Sequence, residues 1–428
     1  MCGTQRRRPL KTPPTVTLRR PHGKQGAFIE SQAKRIIIRA GRRGGKTTGI
    51  AQRHVKKFLA GHRCLYGAPT QDQIERYWFE VTVALKEPIA AGIFKKNETD
   101  HTIEVPGTEQ RIKAKTMWNA DTARGDYAEE VALDEFQMMQ EEVWTQVVAP
   151  MMLDRNGTTV FIYTPPSAER AARSKARDPM YSAKLFQRAQ DDKTGRWATF
   201  TFTSHDNPHL SKVALSEITL DMDERSYRQE ILAEDIWETP GALWDHGEIE
   251  KNRVGIAPAF YEVVAIGVDP SKSSKPGADE CGVVVCGVDS GLCYAIEDRS
   301  ELAPPEQWGA TVAELARTYR EKAHEVIIVA EDNAGGEMIR VVVHSADHGL
   351  TVELTPAVSS KYVRAQPIRA RWGRGECRIV GVMPRLEMQM CNWIDGAAWS
   401  PDRMDAMVHA MRRLLLHQRA VSVGSVDL

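Results

Sequence analysis

The chain opens without hydrophobic periodicity. Residues 1–20 mix Pro and Arg with no helical or strand repeat, which predicts a disordered basic tail. From Pro21 onward short apolar runs alternate with amphipathic stretches. Ile36-Ile37-Ile38 reads as a buried strand that empties into a Gly-rich turn, and a helix follows from Thr48. Arg63–Ala68 reads as a second strand, followed by a helix across 71–86. Residues 100–117 alternate like a hairpin around Pro106-Gly107. Val131-Ala132-Leu133, Thr158–Tyr163 and Trp197–Phe202 complete the series. Strands alternating with helices predict an α/β unit with a parallel sheet over residues 21–204.

The pattern changes over 205–255. A turn at Asn207-Pro208-His209-Leu210, an acidic helical stretch over 216–233 and a break at Thr239-Pro240-Gly241 predict a linker or small lid. A second α/β unit is expected over 256–416. Tyr261–Asp269 is a strand, Gly282–Val288 and Cys293–Glu297 its antiparallel partners, and Glu325–Asn333 a further strand after a helix around 305–322. Ser400-Pro401 opens a last helix, with Ser400 as N-cap and Pro401 in the first position. Residues 417–428 form a C-terminal tail.

Composition narrows the class. A chain of 428 residues suggests about three domains by length. No apolar run is long enough to cross a bilayer and no signal-peptide pattern opens the chain, so no membrane role is expected. Seven Cys without a C-x-x-C pair read as reduced, mostly core thiols rather than a zinc site. Lys plus Arg equals Asp plus Glu at 57 each, so any nucleic-acid binding must come from local patches. Two stand out. One is the tail, residues 1–24. The other is residues 361–385, where Lys361, Arg364, Arg369, Arg371, Arg374, Arg378 and Arg385 face a single acid, Glu376; DNA is the expected partner there.

Chemistry enters with Ala40-Gly41-Arg42-Arg43-Gly44-Gly45-Lys46-Thr47-Thr48. Strand, Gly-rich loop and helix are the context a P-loop requires, with Ala40 where the pattern has its first Gly. The loop from Arg42 to Thr48 is expected to cradle phosphates on backbone N–H groups. Lys46 would reach the β and γ phosphates and the Thr47 hydroxyl would hold Mg²⁺. Gln25, upstream of the strand, has an amide able to read an adenine edge; a surface Gln is the plainer alternative. Val131–Leu133 followed by Asp134-Glu135 is a Walker B pattern. Asp134 would hold the Mg²⁺ shell and Glu135 would polarise the attacking water. Arg124 is a candidate arginine finger, Thr164 a candidate γ-phosphate sensor. A surface Arg and a strand-terminal turn are the plainer alternatives for these two.

The second unit carries its own acids. Asp269 and Glu331 end strands, and Asp402 and Asp405, at i and i+3, share one face of a helix's first turn. Hard carboxylate oxygens gathered at one spot suit two Mg²⁺ or Mn²⁺ ions, about 3.5–4 Å apart, in phosphodiester hydrolysis. Against this, each acid could be a cap or turn residue, and for Asp402 the helix dipole favours that reading. Asp279 is a further loop acid, and His409 reads as packing. The hairpin after the first acid fits an RNase H-like fold.

Together these residues resemble the large terminase subunit of tailed bacteriophages, from about Pro21 to Met411. Pro21–Gln25 is similar to that family's adenine-binding segment, Ala40–Thr47 to its Walker A, and Arg124-Gly125 with Leu133-Asp134-Glu135 to its arginine and Walker B arrangement. Thr164-Pro165 resembles its coupling motif, and Asn207–Leu210 and Arg228-Gln229-Glu230 its linker. Glu331–Glu337 and Asp402–Ala406 resemble its nuclease motifs, although many relatives have Asp where Glu331 stands. The resemblance implies an ATPase that translocates double-stranded DNA and a metal-dependent nuclease that cuts concatemers. It implies Arg124 acting in trans on a neighbour's ATP. The partners it implies are a portal protein, a small terminase subunit and sister subunits in a ring, all in the bacterial host cytoplasm. The rival from the residues alone is an ATP-dependent nuclease or resolvase of DNA repair or host defence, which needs no portal. A non-enzymatic DNA-binding scaffold would need both acid sets idle.

Overall fold

The computed structural model describes residues 14–118, 124–153, 155–167, 174–270, 280–332, 336–356, 359–397 and 399–416. Most of the expected basic tail, the C-terminal tail, Asp279, and Asn333 to Gly335 of the candidate nuclease motif lie outside them. The chain divides into two compact units between Ile236 and Trp237. The stretch 205–255, expected as a linker, is therefore shared: residues up to 236 belong to the first unit and the remainder to the second.

The first unit is built on β1 (Arg35–Ala40), β2 (Cys64–Ala68), β3 (Lys95–Asn97), β4 (Thr102–Glu104), β5 (Arg111–Thr116), β6 (Glu130–Leu133), β7 (Thr158–Tyr163) and β8 (Trp197–Phe202). They form one sheet in the order β3-β4-β5-β2-β6-β7-β1-β8. From β5 across to β8 every neighbouring pair is parallel, and β3 and β4 add an antiparallel edge. The isoleucines of β1 are fully buried because β7 and β8 flank the strand and helices cover both faces. The P-loop helix, Lys46–Leu59, starts directly from the turn after β1. The edge hairpin β4–β5 keeps the alternation read from its sequence: Ile112 and Ala114 are buried, while Arg111, Lys113 and Lys115 are half-buried.

The second unit holds β9 (Arg253–Val254), β10 (Tyr261–Asp269), β11 (Gly282–Asp289), β12 (Leu292–Asp298), β13 (Ala323–Asp332), β14 (Thr351–Pro356) and β15 (Cys377–Val380). Their order is β14-β13-β10-β11-β12-β15-β9. β10, β11 and β12 form an antiparallel meander, and β13 and β14 lie parallel to β10 on the other side.

The last helix, Asp402–Leu416, lies flat across β10 and β11. Two glycines make this possible. A Cβ on Gly267 would stand 1.9 Å from the Ala406 carbonyl oxygen, and one on Gly282 would stand 2.1 Å from that of Asp402. Met404, Met407, Met411 and Leu414 fill the core beneath it. Burial of each such side chain stabilises by roughly 1.5–3 kcal/mol. Its start differs from expectation. The helix begins at Asp402, Pro401 supplies the first carbonyl acceptor to the Asp405 N–H at 2.8 Å, and the Ser400 hydroxyl accepts from Lys361 instead of capping. The six described cysteines are buried and unbridged. No helix among the described residues is long and apolar enough to cross a membrane.

Candidate active sites

The loop between β1 and the P-loop helix is wound as a phosphate cradle. Gly45 sits at φ +94°, a left-handed conformation that would strain any side chain, and it turns the chain into the helix at Lys46. Arg43, at φ 58°, carries that strain without being Gly. Neighbouring segments brace the loop. The Gln25 amide donates to the Gly45 carbonyl at 2.8 Å and accepts from the His22 N–H at 3.3 Å. His22 reaches the Gly44 carbonyl at 3.0 Å. The Arg42 N–H donates to the Glu230 carbonyl at 2.6 Å and its guanidinium to the Glu230 carboxylate. Ser204 and Asn207 donate to the Arg42 and Arg43 carbonyls at 2.5 and 2.7 Å. The two segments expected as linker, around Asn207 and Glu230, thus hold the outer side of the P-loop.

Opposite the loop, the ends of β6 and β7 deliver Asp134, Glu135 and Thr164. Lys46 stands 3.0 Å from the Glu135 carboxylate and donates to the Thr164 hydroxyl. The Thr47 hydroxyl donates to Asp134 Oδ2 at 3.1 Å. The same oxygen accepts from the Tyr66 hydroxyl at 2.7 Å, and Oδ1 accepts from the Glu135 N–H at 3.0 Å. Glu135 has φ 53°, a second strained residue at the centre. Burial and the neighbouring Glu135 charge push Asp134 above the usual carboxylate range. Glu135 is held below that range: burial raises it, but the Lys46 charge and a hydrogen bond from Gln137 outweigh burial. Hydroxyl and carboxylate oxygens are the donors Mg²⁺ prefers, so Thr47 and Asp134 fit it. The Thr48 hydroxyl points to Glu80 at 3.4 Å, outside this set. Arg124 lies on an exposed turn. Two residues on, Asp126 gathers Lys113, Lys115 and Arg111 at 2.8, 2.7 and 3.5 Å.

In the second unit Asp269 ends β10, Glu331 lies one residue before the end of β13, and Asp402 and Asp405 sit in the first turn of the last helix. Two cations from the helix Lys361–Gly373 stand among them. Lys361 contacts Asp405, lies 3.7 Å from Asp269, and donates to Ser400 at 2.7 Å. Arg364 donates to Glu331 at 2.8 and 3.3 Å. Burial and the Asp405 charge push Asp269 up to about 7. Asp405 is raised as well, chiefly by burial. Apart from the Lys361 ion pair, both Asp405 oxygens are buried without a hydrogen bond among the described residues. Among the described residues no three His, Cys, Asp or Glu side chains already stand at metal-cage spacing. Carboxylates under mutual repulsion, one of them met by an ammonium group, nevertheless fit divalent cations chemically. His409 is buried, with Nε2 3.9 Å from Glu331 and without a hydrogen bond among the described residues.

Residues 361–385 are more heavily paired than the one acid inside the stretch predicts. Lys361 and Arg364 hold the acids just named, Arg369 pairs with Glu248, Arg371 and Arg374 with Glu376, and Arg385 with Glu280; Arg378 donates to Asn252. Counting acids inside the stretch missed partners that the fold brings from elsewhere. Sequence reasoning also missed Tyr66. Tyr66 shares the buried face of β2 with Cys64 and Ala68, and in the sequence it is indistinguishable from a core aromatic.

Two family models match the chain. "Terminase large subunit, T4likevirus-type, N-terminal" covers residues 37–251, and "Terminase RNaseH-like domain" covers residues 266–414. Among curated proteins, the large terminase subunits of Thermus virus P23-45 and Thermus phage G20c are 27% and 26% identical over 166 residues. The match spans 34% of this chain and 34% of each relative, about a third of their length. Among solved structures, the HK97 bacteriophage large terminase matches with TM-score 0.47 and 15% identity, over 92% of this chain and 95% of that one. The large terminase of a thermophilic bacteriophage gives 0.41 and 14%, over 92% and 100%. The chain belongs to the terminase large-subunit family, with that family's N-terminal domain in its first unit and the terminase RNase H-like domain in its second.

Proposed function

We propose that the protein hydrolyses ATP to move double-stranded DNA into a procapsid and cuts concatemeric DNA with a metal-dependent endonuclease. The observation that carries this reading is the closed contact set Lys46, Thr47, Asp134, Glu135 and Thr164 in one unit, together with a separate carboxylate centre on the RNase H-like sheet of the other. In the first centre the loop N–H groups and Lys46 hold the phosphates, and Glu135, kept ionised by Lys46, orients the attacking water. Thr164, already bonded to Lys46, reports the phosphate state to β7. Arg124 serves a neighbouring subunit's nucleotide. Thr47 and Asp134 hold the nucleotide's Mg²⁺.

In the second centre Asp269, Glu331, Asp402 and Asp405 hold two divalent ions, Mg²⁺ or Mn²⁺. Bound there, the ions supply a low-pKa water and charge stabilisation at the scissile phosphate. Lys361 and Arg364 hold the acids in register before the ions arrive. The partners are DNA, a portal, a small terminase subunit and sister subunits, in the cytoplasm of a bacterial host.

The test is plasmid cleavage and ATP turnover by the purified chain with Mg²⁺ or Mn²⁺. Asp269→Ala should abolish cleavage and keep ATPase activity. Glu135→Ala should lose ATP turnover, by roughly 10²–10⁴-fold, and keep cleavage. An Asp269→Ala chain that cuts like wild type removes the nuclease assignment. Stimulation of ATP turnover by empty procapsids separates packaging from repair.

A further inference from the structure

The first unit contains a buried polar column that the proposed chemistry does not use. Tyr66 of β2 is fully buried, and its hydroxyl donates to Asp134 Oδ2 at 2.7 Å. Its ring stacks on Tyr77, centroids 3.8 Å apart and planes 2° from parallel. The Tyr77 hydroxyl lies 2.6 Å from His54 Nδ1, which anchors that ring to the P-loop helix. A buried hydroxyl is costly unless it is bonded, so a core slot that only needed filling would take Phe. The Tyr66 hydroxyl is placed for one acceptor, the Asp134 carboxylate.

Asp134 can be rotated about its last torsion by any competing contact. Here both oxygens are pinned: Oδ2 by Tyr66 and Thr47, Oδ1 by the Glu135 N–H. Thr47 is itself the hydroxyl expected to meet the cation, and the Glu135 N–H belongs to a strained residue beside the chemistry. Tyr66 is the donor of the three that comes from outside the nucleotide site, on a strand separated from β1 and its loop by β6 and β7.

We propose that Tyr66 is a positioning residue for the nucleotide's divalent cation, acting through Asp134. The inference rests on the reading of this unit as a Mg²⁺-dependent ATPase. It assigns the Tyr66 hydroxyl to holding the carboxylate plane in the orientation the cation meets, and the Tyr77 stack to fixing the phenol.

The test compares wild type, Tyr66→Phe and Tyr77→Phe in the full chain. Mn²⁺ affinity in the presence of ADP is read by electron paramagnetic resonance, and Mg²⁺ half-saturation of ATP turnover is read in parallel. Nucleotide affinity in EDTA and thermal midpoint report on the fold. Tyr66→Phe should weaken Mn²⁺ binding roughly tenfold, the scale of an outer-shell hydrogen bond to a metal ligand, and raise the Mg²⁺ half-saturation alike. EDTA-state nucleotide affinity and the melting midpoint should stay near wild type. Tyr77→Phe keeps the stacked ring but loses its His54 contact, so it should shift the cation dependence less than Tyr66→Phe does. Should Tyr66→Phe fail to fold, Tyr66→Met removes the same hydroxyl in an adaptable side chain and carries the same comparison. Wild-type Mn²⁺ affinity in a folded variant lacking the hydroxyl overturns the inference while leaving the ATPase reading intact. A wild-type chain with no cation-dependent nucleotide binding overturns both.

Discussion

The two acid centres hold buried carboxylates by different means. In the first unit the Asp134 oxygens meet donors, two hydroxyls and an N–H, and Glu135 meets Lys46. In the second, Asp269 and Asp405 lie close enough for repulsion to raise Asp269, Lys361 meets Asp405, and Lys361 and Arg364 supply the balancing charge. In the first centre Glu135 also raises Asp134, but fixed hydroxyl and N–H donors meet the Asp134 oxygens. The second answers the repulsion between Asp269 and Asp405 with side-chain cations. A centre built on repulsion depends on a rigid scaffold to keep its acids together, and the glycine-seated last helix supplies it.

Gly267→Ala breaks that scaffold most directly and should give the largest effect. The new methyl group would meet a backbone carbonyl at 1.9 Å, which cannot be relieved by a rotamer change. The second unit should lose about 3 kcal/mol or more. Denaturant unfolding would show it, with DNA cleavage falling alongside while ATP turnover persists. Unchanged stability would mean the helix does not need its close seat.

Asp269→Asn sharpens the electrostatic half of the comparison. With a folded pKa near 7, Asp269 keeps its proton in the metal-free fold where the unfolded chain has released it. The native state then binds more protons between about pH 4 and 7. Its stability contribution is full below about pH 4, falls by about 1.4 kcal/mol per pH unit through that window, and is level above it. The amide has no such loss. At pH 8 in EDTA, Asp269→Asn should therefore be more stable than wild type, on the order of 2–4 kcal/mol, with the gap closing toward pH 4. Glu135→Gln should move the other way, by about 1 kcal/mol, because it removes the partner that Lys46 holds ionised. Equal signs for the two substitutions would dissolve the contrast.

Legibility divides along the same line. The β1 isoleucine run, the Gly-Lys-Thr turn, the Asp134-Glu135 pair and the antiparallel meander were all readable, because periodicity and local turn chemistry determine them. Asp402 and Asp405 were readable as one helix face, since i and i+3 spacing does not depend on the fold. What could not be read were the long-range partners. Lys361 pairs with an acid 44 positions away and Arg364 with one 33 positions away, so a stretch that reads as locally basic takes partners from distant parts of the chain. Tyr66 carried only a core-strand signature, and its hydroxyl finds Asp134 through sheet order rather than spacing. Asn207 and Glu230 matched a linker in sequence, yet the fold brings them back onto the P-loop.

That last contact offers the smallest and most local test of preorganisation in the first unit. Asn207 donates to the Arg43 carbonyl at 2.7 Å, across 164 positions, and Arg43 is held at φ 58°. A side-chain amide is well suited here, because the carbonyl of a left-handed residue is turned away from the helix and needs a donor from outside. Asn207→Ala leaves that carbonyl to water on a partly exposed face, so the loss should be about 0.5–1 kcal/mol. The effect belongs to the loop's conformation rather than to the chemistry. It should appear as weaker nucleotide binding, about two- to fivefold, with turnover at saturating ATP unchanged. A matching fall in saturated turnover would instead mean that the brace shapes the transition state. The first centre would then depend on its surroundings as strongly as the second depends on its last helix.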